Sequence, residues 1–422
     1  MMIPNNLLEG KKILLGVTGS ISAYKSAEII RLFIKAGAEV RVVMSDAATK
    51  FITPLTLEAL SRNKVLNEQT ESWSDDNNHI QITEWCDLFV IAPCSAHTLN
   101  KLANGLADNL LTQCALAYPH VKLLAPAANT HMIHNPITQA SIKMLSVAGY
   151  EFVATQVKEL ACQSVGDGAL AEPLDIFYKS AQLLLRDDFW QDRRVIVTGG
   201  GTIEKIDDVR YLSNFSSGTM ASALACALYL RGADVNLIST RKASNLPREL
   251  HTIDVDNSAE MLEYLQDSIR VSKKGRLSKP SLMTTEQVHL IQKEPFLFMA
   301  AAISDYIPTY PQEGKIKKGD VGQNWELPLK KNVDILETID KSGIKTIAFK
   351  AEMDADNAAK NAHALIETKG VDAVCLNLLK DSKSFGTLDN AIEFITENES
   401  IIFEKNDKLT LSLLLIDHLR TH

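Results

Sequence analysis

The chain has 422 residues, too many for one ordinary hydrophobic core and comfortable for two domains of roughly 190 to 230 residues each. Its 45% hydrophobic and 23% charged residues are those of a soluble globular protein, and a net charge of -8 argues against nucleic-acid binding, which leaves a basic footprint. No apolar run reaches membrane-spanning length and no basic segment precedes a signal-type apolar stretch, so cytoplasm is the expected compartment, with neither membrane nor nucleic acid as partner.

The first apolar run leads into Ile13-Leu14-Leu15-Gly16-Val17-Thr18-Gly19-Ser20. An amphipathic helix is predicted over residues 27–36, with Ile29, Ile30, Phe33 and Ile34 on one side, closed by Gly37 and followed by a strand over 38–43. Short apolar runs at 87–92 and 121–125 read as buried parallel strands ending at Pro93 and Pro126. A helix over 174–190 closes the first domain. The pattern then starts again: Val195-Ile196-Val197-Thr198-Gly199-Gly200-Gly201-Thr202, a helix over 217–231, Gly232 and a strand over 233–238. Residues 272–294 are basic, with little apolar period, and read as a surface insertion. Strands follow at 296–300, 344–349 and 371–376, then a hairpin over 391–405 and a last helix.

Strand, glycine loop, helix and strand make a βαβ unit, which demands a right-handed crossover and a sheet covered on both faces. Two such units predict an α/β protein of two doubly wound, Rossmann-like domains, residues 1–190 and 191–422. Each glycine loop opens a helix, where unpaired N–H groups and the positive dipole end favour a phosphate, so two phosphate cradles imply two active sites. In such sheets ligands bind beyond the carboxyl ends of the strands, which places the loops at 93–100 and 126–132 at the first site.

Gly16-x-x-Gly19 lacks the third glycine of a dinucleotide fingerprint, and Asp46 is the only nearby acid for a ribose, which argues against a nicotinamide dehydrogenase. A mononucleotide with a single phosphate fits better: Gly19 permits close approach, and Ser20, Thr53, Ser95 and Thr98 supply short polar groups on loops. Six cysteines, Cys86, Cys94, Cys114, Cys162, Cys226 and Cys375, include no C-x-x-C pair and suggest neither a zinc site nor a disulfide framework. His131 and His134 alone read as solvent-facing side chains.

Several motifs in one order carry a family resemblance. Gly16-Val17-Thr18-Gly19-Ser20-Ile21-Ser22-Ala23-Tyr24-Lys25, Thr53-Pro54-Leu55-Thr56, Asn78-His79-Ile80, Ala92-Pro93-Cys94-Ser95-Ala96-His97-Thr98, residues 103–111 and Pro126-Ala127-Ala128-Asn129-Thr130-His131-Met132 resemble the homo-oligomeric flavin-containing cysteine decarboxylases. Residues 198–204 and 209–218, Ala300-Ala301-Ala302-Ile303-Ser304-Asp305-Tyr306 and Lys315-Ile316-Lys317-Lys318 resemble phosphopantothenate-cysteine ligase. In this order the halves are similar to the bacterial bifunctional coenzyme A biosynthesis proteins, over nearly the whole chain except the basic insertion.

The resemblance implies a flavodoxin-like flavin domain followed by a nucleotide-binding ligase domain, with FMN as cofactor and CTP with Mg2+ as co-substrate. The ligase would couple 4'-phosphopantothenate to cysteine through an acyl-cytidylate, and the flavin domain would decarboxylate 4'-phosphopantothenoylcysteine to 4'-phosphopantetheine. His79 matches the base, imidazole being the side chain suited to proton transfer at neutral pH. Asn129 matches the residue that holds the substrate carboxylate, and Cys162 the proton donor on a mobile flap. In the ligase half, Asn214 matches the asparagine of acyl-cytidylate turnover and Lys315 the cation on the nucleotide or developing charge. Gly200, Gly201 and Ala301 match nucleotide-contacting motif positions, Asp305 the acid that meets CTP and its metal, Phe349 a base-facing wall and Lys369 a phosphate contact.

The resemblance further implies trimeric flavin domains and dimeric ligase domains in a dodecamer, with subunit contacts completing the sites. This sequence departs from the pattern at Thr219-Met220-Ala221, where Lys-Met-Gly is usual, and at Leu376-Asn377-Leu378, Ala169-Leu170, His97 and Ala128. The alternative is a flavin-dependent cysteine decarboxylase with a degenerate ligase half.

Overall fold

The structure, a computed structural model, describes residues 3–75, 77–159, 165–282, 287–317, 324–378, 387 and 389–420. By its contacts the chain divides into an N-terminal unit, residues 3–185 with 277–289, and a C-terminal unit, residues 186–276 with 290–422. Cys162 and Lys318 lie outside the described residues.

The apolar runs of the N-terminal unit form five parallel strands, β1 (Lys12–Val17), β2 (Glu39–Met44), β3 (Leu88–Cys94), β4 (Lys122–Pro126) and β5 (Tyr150–Phe152). Their order, β2-β1-β3-β4-β5, is the flavodoxin-like 2-1-3-4-5 arrangement, whose ligand crevice opens between the first and third strands. Gly16 lies opposite both Val43 and Ile91, so the carboxyl ends of β1, β2 and β3 share one rim. Buried on both faces, the strands need no polar alternation. On one face Leu14, Phe89, Ile91 and Leu124 pack with Leu99, Leu111 and Cys114 of the flanking helices. The helix Ser26–Lys35 buries Ile29, Ile30 and Phe33, as its period predicts.

Two boundaries differ from expectation. β3 runs one residue past Pro93 to Cys94, with a register shift in its pairing to β4 between Ile91 and Cys94, while β4 ends at Pro126 as expected. The closing helix is Pro173–Leu185, not 174–190. Trp190 belongs to the other unit, fully buried, with its Nε1 donating to Ile416 O at 3.0 Å and its ring edge-on to Phe189 and Phe296. Between sheet and closing helix stands an antiparallel hairpin, β6 (Gln156–Glu159) and β7 (Val165–Ala169).

The C-terminal unit contains β8 (Arg194–Gly199), β9 (Glu204–Lys205), β10 (Tyr211–Leu212), β11 (Asp234–Ser239), β12 (His251–Asp254), β13 (Arg276–Leu277), β14 (Leu290–Ile291), β15 (Phe296–Met299), β16 (Tyr306–Pro308), β17 (Leu329–Lys331), β18 (Lys345–Glu352), β19 (Ala373–Leu378), β20 (Asp389–Ile395) and β21 (Ser400–Asp407). Its main sheet runs β12-β11-β8-β15-β18-β19-β20-β21. The first six strands are parallel in the Rossmann order 3-2-1-4-5-6, and β20 and β21 extend the edge antiparallel. The helix Thr219–Leu230 is buried from Ala221 to Leu230 between this sheet and the helix Lys408–Leu419, which explains why it is apolar all round. The basic stretch is not all loop: the helix Ser258–Ser272 runs into it, and β13 pairs with β14. Among the described residues no helix is long and apolar enough to cross a membrane.

Candidate active sites

In the N-terminal unit three capped helix starts converge on the rim of β1, β3 and β4. Ser20 Oγ accepts from Ser22 N at 3.2 Å at the head of the turn Ile21–Lys25. Ser95 Oγ accepts from Thr98 N at 3.3 Å and lies 3.1 Å from Thr98 Oγ1 at the head of Ala96–Ala103. Asn129 Oδ1 accepts from His131 N at 2.9 Å at the head of Thr130–Ile133. Thr18 ties two of these loops together, donating to Pro93 O at 2.7 Å and accepting from Ser95 N at 2.9 Å. The loops enclose a cavity of about 840 Å³ whose walls include Gly19, Ser20, Ser95, Thr98 and Asn129. Helix starts with unpaired N–H groups make this rim attractive to an anion. A Cβ on Gly19 would stand 2.6 Å from Ala47 Cβ, so only glycine lets the backbone lie this close to the cavity wall.

The hairpin β6–β7 forms another wall through Lys158, Glu159, Gly168 and Ala169. Ala128 N donates to Gly168 O at 3.0 Å, and His134 Nε2 lies 3.4 Å from Asp167 Oδ2. Glu172 accepts from Lys158 and, at 3.4 Å, from Lys25, and these ammonium groups hold its carboxyl below the usual range. Lys25, Asp46 and Lys158 also line the cavity; Lys25 closes the first quoted motif and Asp46 is the acid that follows the second strand, whereas nothing in the sequence pointed to Lys158.

Thr53 and His79 are not among the cavity's lining residues. Thr53 Oγ1 lies 3.0 Å from Thr56 Oγ1 at the start of the helix Pro54–Ser61. His79 is the first residue of the helix His79–Trp85. Its Nδ1 lies 2.9 Å from Glu71 Oε1 and its ring meets Trp73 edge-on at 5.6 Å, so a carboxylate orients the imidazole through Nδ1. The described cysteines are buried and not disulfide-linked, and burial pushes the Cys86 thiol up to about 12, far from reactive.

In the C-terminal unit the switch point lies between β8 and β15, and the loops that leave them are stitched together. Ala302 N donates to Gly200 O at 2.8 Å, Ala301 N to Thr198 Oγ1 at 3.3 Å, and Ser304 N to Thr202 Oγ1 at 3.2 Å. Asn214 joins them, its Nδ2 donating to Ile303 O at 3.1 Å and its carbonyl oxygen lying 2.7 Å from where a Cβ on Gly201 would stand. Asn332 N donates to Asp305 O at 2.7 Å, leaving the Asp305 carboxylate on an exposed residue. Phe349 lies one residue beyond the Met299–Ala348 pair and so on the same rim. Gly200, Gly201, Asn214, Ala301, Asp305 and Phe349 are thus gathered at the carboxyl edge.

Lys315 is exposed on a strip held by its neighbours. Ile316 N donates to Asp207 Oδ2 at 3.1 Å, Arg210 Nη2 donates to Ile316 O at 2.9 Å, and Gly314 N donates to Asp208 Oδ2 at 2.7 Å. Asp207 has a fully buried side chain. Burial opposes its charge, but the Arg210 guanidinium and the N–H groups of Val209, Ile316 and Arg210 outweigh it and hold the carboxyl well below the usual range. The sequence showed Arg210 inside a quoted motif, but nothing showed Asp207 as its buried partner.

Lys369 stands apart from this group. It ends the helix Ala355–Lys369, which leads into the amino end of β19, the edge opposite Gly200 and Gly201. Its ammonium is taken by Asp334 at 2.8 Å and Glu337 at 3.1 Å. A cavity of about 600 Å³ beside Glu204, Ser258 and Asn332 contains none of the expected ligase residues.

Residues 1–185 match the family described as Flavoprotein, and residues 190–274 and 277–422 match the DNA/pantothenate metabolism flavoprotein C-terminal domain. The chain is 34% identical over 419 residues to the Coenzyme A biosynthesis bifunctional protein CoaBC of Haemophilus influenzae, covering 98% of each chain. It is 33% identical over 419 residues to the CoaBC of Vibrio vulnificus, again covering 98% of each. A solved PPC decarboxylase complexed with pantothenoylaminoethenethiol is 35% identical, with a TM-score of 0.37, over 40% of this chain and 96% of that one. With both halves matched in order and the relatives covered almost end to end, the chain belongs to the family of bifunctional coenzyme A biosynthesis proteins CoaBC.

Proposed function

We propose that the C-terminal unit couples 4'-phosphopantothenate to cysteine using CTP, and that the N-terminal unit decarboxylates the resulting 4'-phosphopantothenoylcysteine to 4'-phosphopantetheine using FMN. Decarboxylation and ligation in coenzyme A biosynthesis follow from family membership. The observation that carries the finer reading is the cavity at the switch point of a 2-1-3-4-5 sheet, walled by capped helix starts and by the hairpin β6–β7. Its volume and the close approach at Gly19 suit a mononucleotide phosphate. Bound there, FMN supplies a reversible two-electron acceptor, the electron sink that an unactivated cysteine carboxylate lacks.

Asn129 offers an uncharged amide on the cavity wall to the substrate carboxylate. Cys162 is read as the acid that protonates the decarboxylated product. His79, oriented by Glu71, takes a proton through Nε2. Because His79 lies outside its own chain's cavity, the reading places it in the site of a neighbouring copy, in keeping with trimeric flavin domains, dimeric ligase domains and a dodecamer.

In the ligase, the carboxylate of 4'-phosphopantothenate attacks the α-phosphorus of CTP and expels pyrophosphate. The amine of cysteine then displaces CMP from the acyl-cytidylate. Lys315 opposes the developing negative charge. One carboxylate, Asp305, suits Mg2+, which takes its remaining ligands from phosphates and water. Asn214 sits against Gly201, where the acyl-cytidylate would form. A degenerate ligase half is not favoured, since the similarity covers both halves.

The test is to incubate the purified chain with 4'-phosphopantothenate, cysteine, CTP and Mg2+ and to weigh the products. The expected products are 4'-phosphopantetheine, CMP and pyrophosphate. Accumulation of unchanged 4'-phosphopantothenoylcysteine, or no amide product at all, would contradict the reading for one half or the other.

A further inference from the structure

We propose that Arg241 is a phosphate-binding residue of the ligase site, contacting the nucleotide triphosphate or the phosphate of the acid substrate; the inference rests on the ligase reading above. The loops that leave β8 and β11 and the turn into the helix Thr219–Leu230 meet at this residue. A Cβ on Gly218 would stand 1.8 Å from Arg241 O, and one on Gly200 would stand 2.8 Å from Arg241 N. Both glycines have left-handed backbone, φ +69° and +78°, so neither position accepts a side chain and the Arg241 backbone is wedged between two close-approach points.

The wedge is fixed. Ser239 Oγ donates to Arg241 O at 2.6 Å and accepts from Arg241 N at 3.3 Å, while Thr240 Oγ1 donates to Gly201 O at 2.8 Å. This is the loop after the second strand of a 3-2-1-4-5-6 sheet, the place from which an arginine reaches a nucleotide phosphate in that architecture.

Charge points the same way. Residues 198–202 and 213–221, the two segments that frame the cradle, contain no lysine or arginine. Their contribution to a polyanion is limited to N–H groups and hydroxyls such as Ser217 and Thr219, whose oxygens lie 2.9 Å apart. The neighbouring cations are engaged: Lys242 with Asp254 at 2.6 Å and Arg210 with Asp207. Arg241 is exposed and makes no ion pair among the described residues. A guanidinium presents a planar fork that grips a phosphate bidentately.

The experiment is steady-state ligation by the full-length chain, varying CTP and 4'-phosphopantothenate separately, for wild type, Arg241→Gln, Arg241→Lys and the double variant Arg241→Gln with Thr219→Lys. Arg241→Gln is expected to raise the KM of one phosphate-bearing substrate by about tenfold or more, with a smaller change in kcat. Which KM moves identifies the phosphate. Arg241→Lys restores part of the loss, and so does Thr219→Lys, which puts a cation one residue beyond Gly218. Unchanged KM values in Arg241→Gln, or a loss relieved by neither cation, overturns the assignment. A wild-type chain that forms no amide with CTP would overturn the ligase reading itself, a separate result.

Discussion

Replacing Gly168 with alanine tests how the hairpin and the Asn129 loop share the flavin cavity. Gly168 sits in β7 at φ +144°, a conformation that L side chains rarely adopt, with its carbonyl accepting from Ala128 N at 3.0 Å. The added Cβ would lie 2.2 Å from Ala128 O and 3.4 Å from the carbonyl carbon of Asn129. Reaching an ordinary contact of about 3.2 Å requires the strand or the loop to yield by roughly 1 Å, and a displacement of that size at a catalytic group costs on the order of a hundredfold in rate. The strained backbone adds about 1–3 kcal/mol of destabilisation, a fall of roughly 2–10 °C in the melting temperature of this unit. Decarboxylation of preformed 4'-phosphopantothenoylcysteine should therefore drop about a hundredfold while CTP-dependent ligation keeps its wild-type rate. Decarboxylation within about twofold of wild type would refute the reasoning, as would equal loss of both activities.

Lys122 is buried against the rings of Tyr118 and Tyr150, at 5.5 and 4.9 Å, with its Nζ donating to His120 O at 3.3 Å, and burial lowers its pKa from 10.5 to about 8. Between these two values the unfolded chain holds more protons than the folded one, so stability should rise with pH from about 8 to 10.5, and below about 8 the folded state bears the full cost of the buried charge. Lys122→Met is expected to raise stability at pH 7 by roughly 1–3 kcal/mol in urea melts, with the gain shrinking as pH rises from about 8 to 10.5; a loss at pH 7 would mean that the ring contacts outweigh burial. Asn214→Ala should lower ligation by about two orders of magnitude and spare decarboxylation; parallel loss of both would contradict independent sites. Asp207→Asn frees Arg210 and loosens the strip that carries Lys315, so the KM for CTP should rise about tenfold in initial-rate assays, and an unchanged KM would show that the buried carboxylate does not position that strip.

The strands and glycine loops were legible because parallel strands buried on both faces are written as unbroken apolar runs, and because glycine marks close approach wherever it occurs. Ser20, Ser95, Thr98 and Asn129 were legible for a related reason: Ser20, Ser95 and Asn129 each head a helix shortly after a strand and Thr98 stands in the first turn of one, so local sequence alone puts them on one rim. The hairpin β6–β7 was not legible as strands, since Gln156, Lys158, Glu159, Gly166 and Gly168 carry no apolar alternation and its pairing depends on the Ala128 loop. The closing helix was extended to Trp190 because no glycine or proline follows Leu185 to mark its end; in the fold the Trp190 indole donates to Ile416 O. Asp207, Arg210 and Ile316 meet across more than a hundred residues, and Arg241 gains meaning only from two glycines that lie about 20 and 40 positions away, separations at which sequence pattern carries no geometry. Lys369 shows the same limit: its charge was visible in the sequence, but its pairing with Asp334 and Glu337 was not.

The central claim is that one half of the chain removes the carboxyl group from the compound that the other half has just made. Purified chain supplied with 4'-phosphopantothenate, CTP, Mg2+ and cysteine labelled with 13C at its carboxyl should release one labelled carbon dioxide for each CMP formed, and none when CTP is withheld. Labelled carbon dioxide without CTP, or CMP formation with the label retained in the amide product, would contradict it.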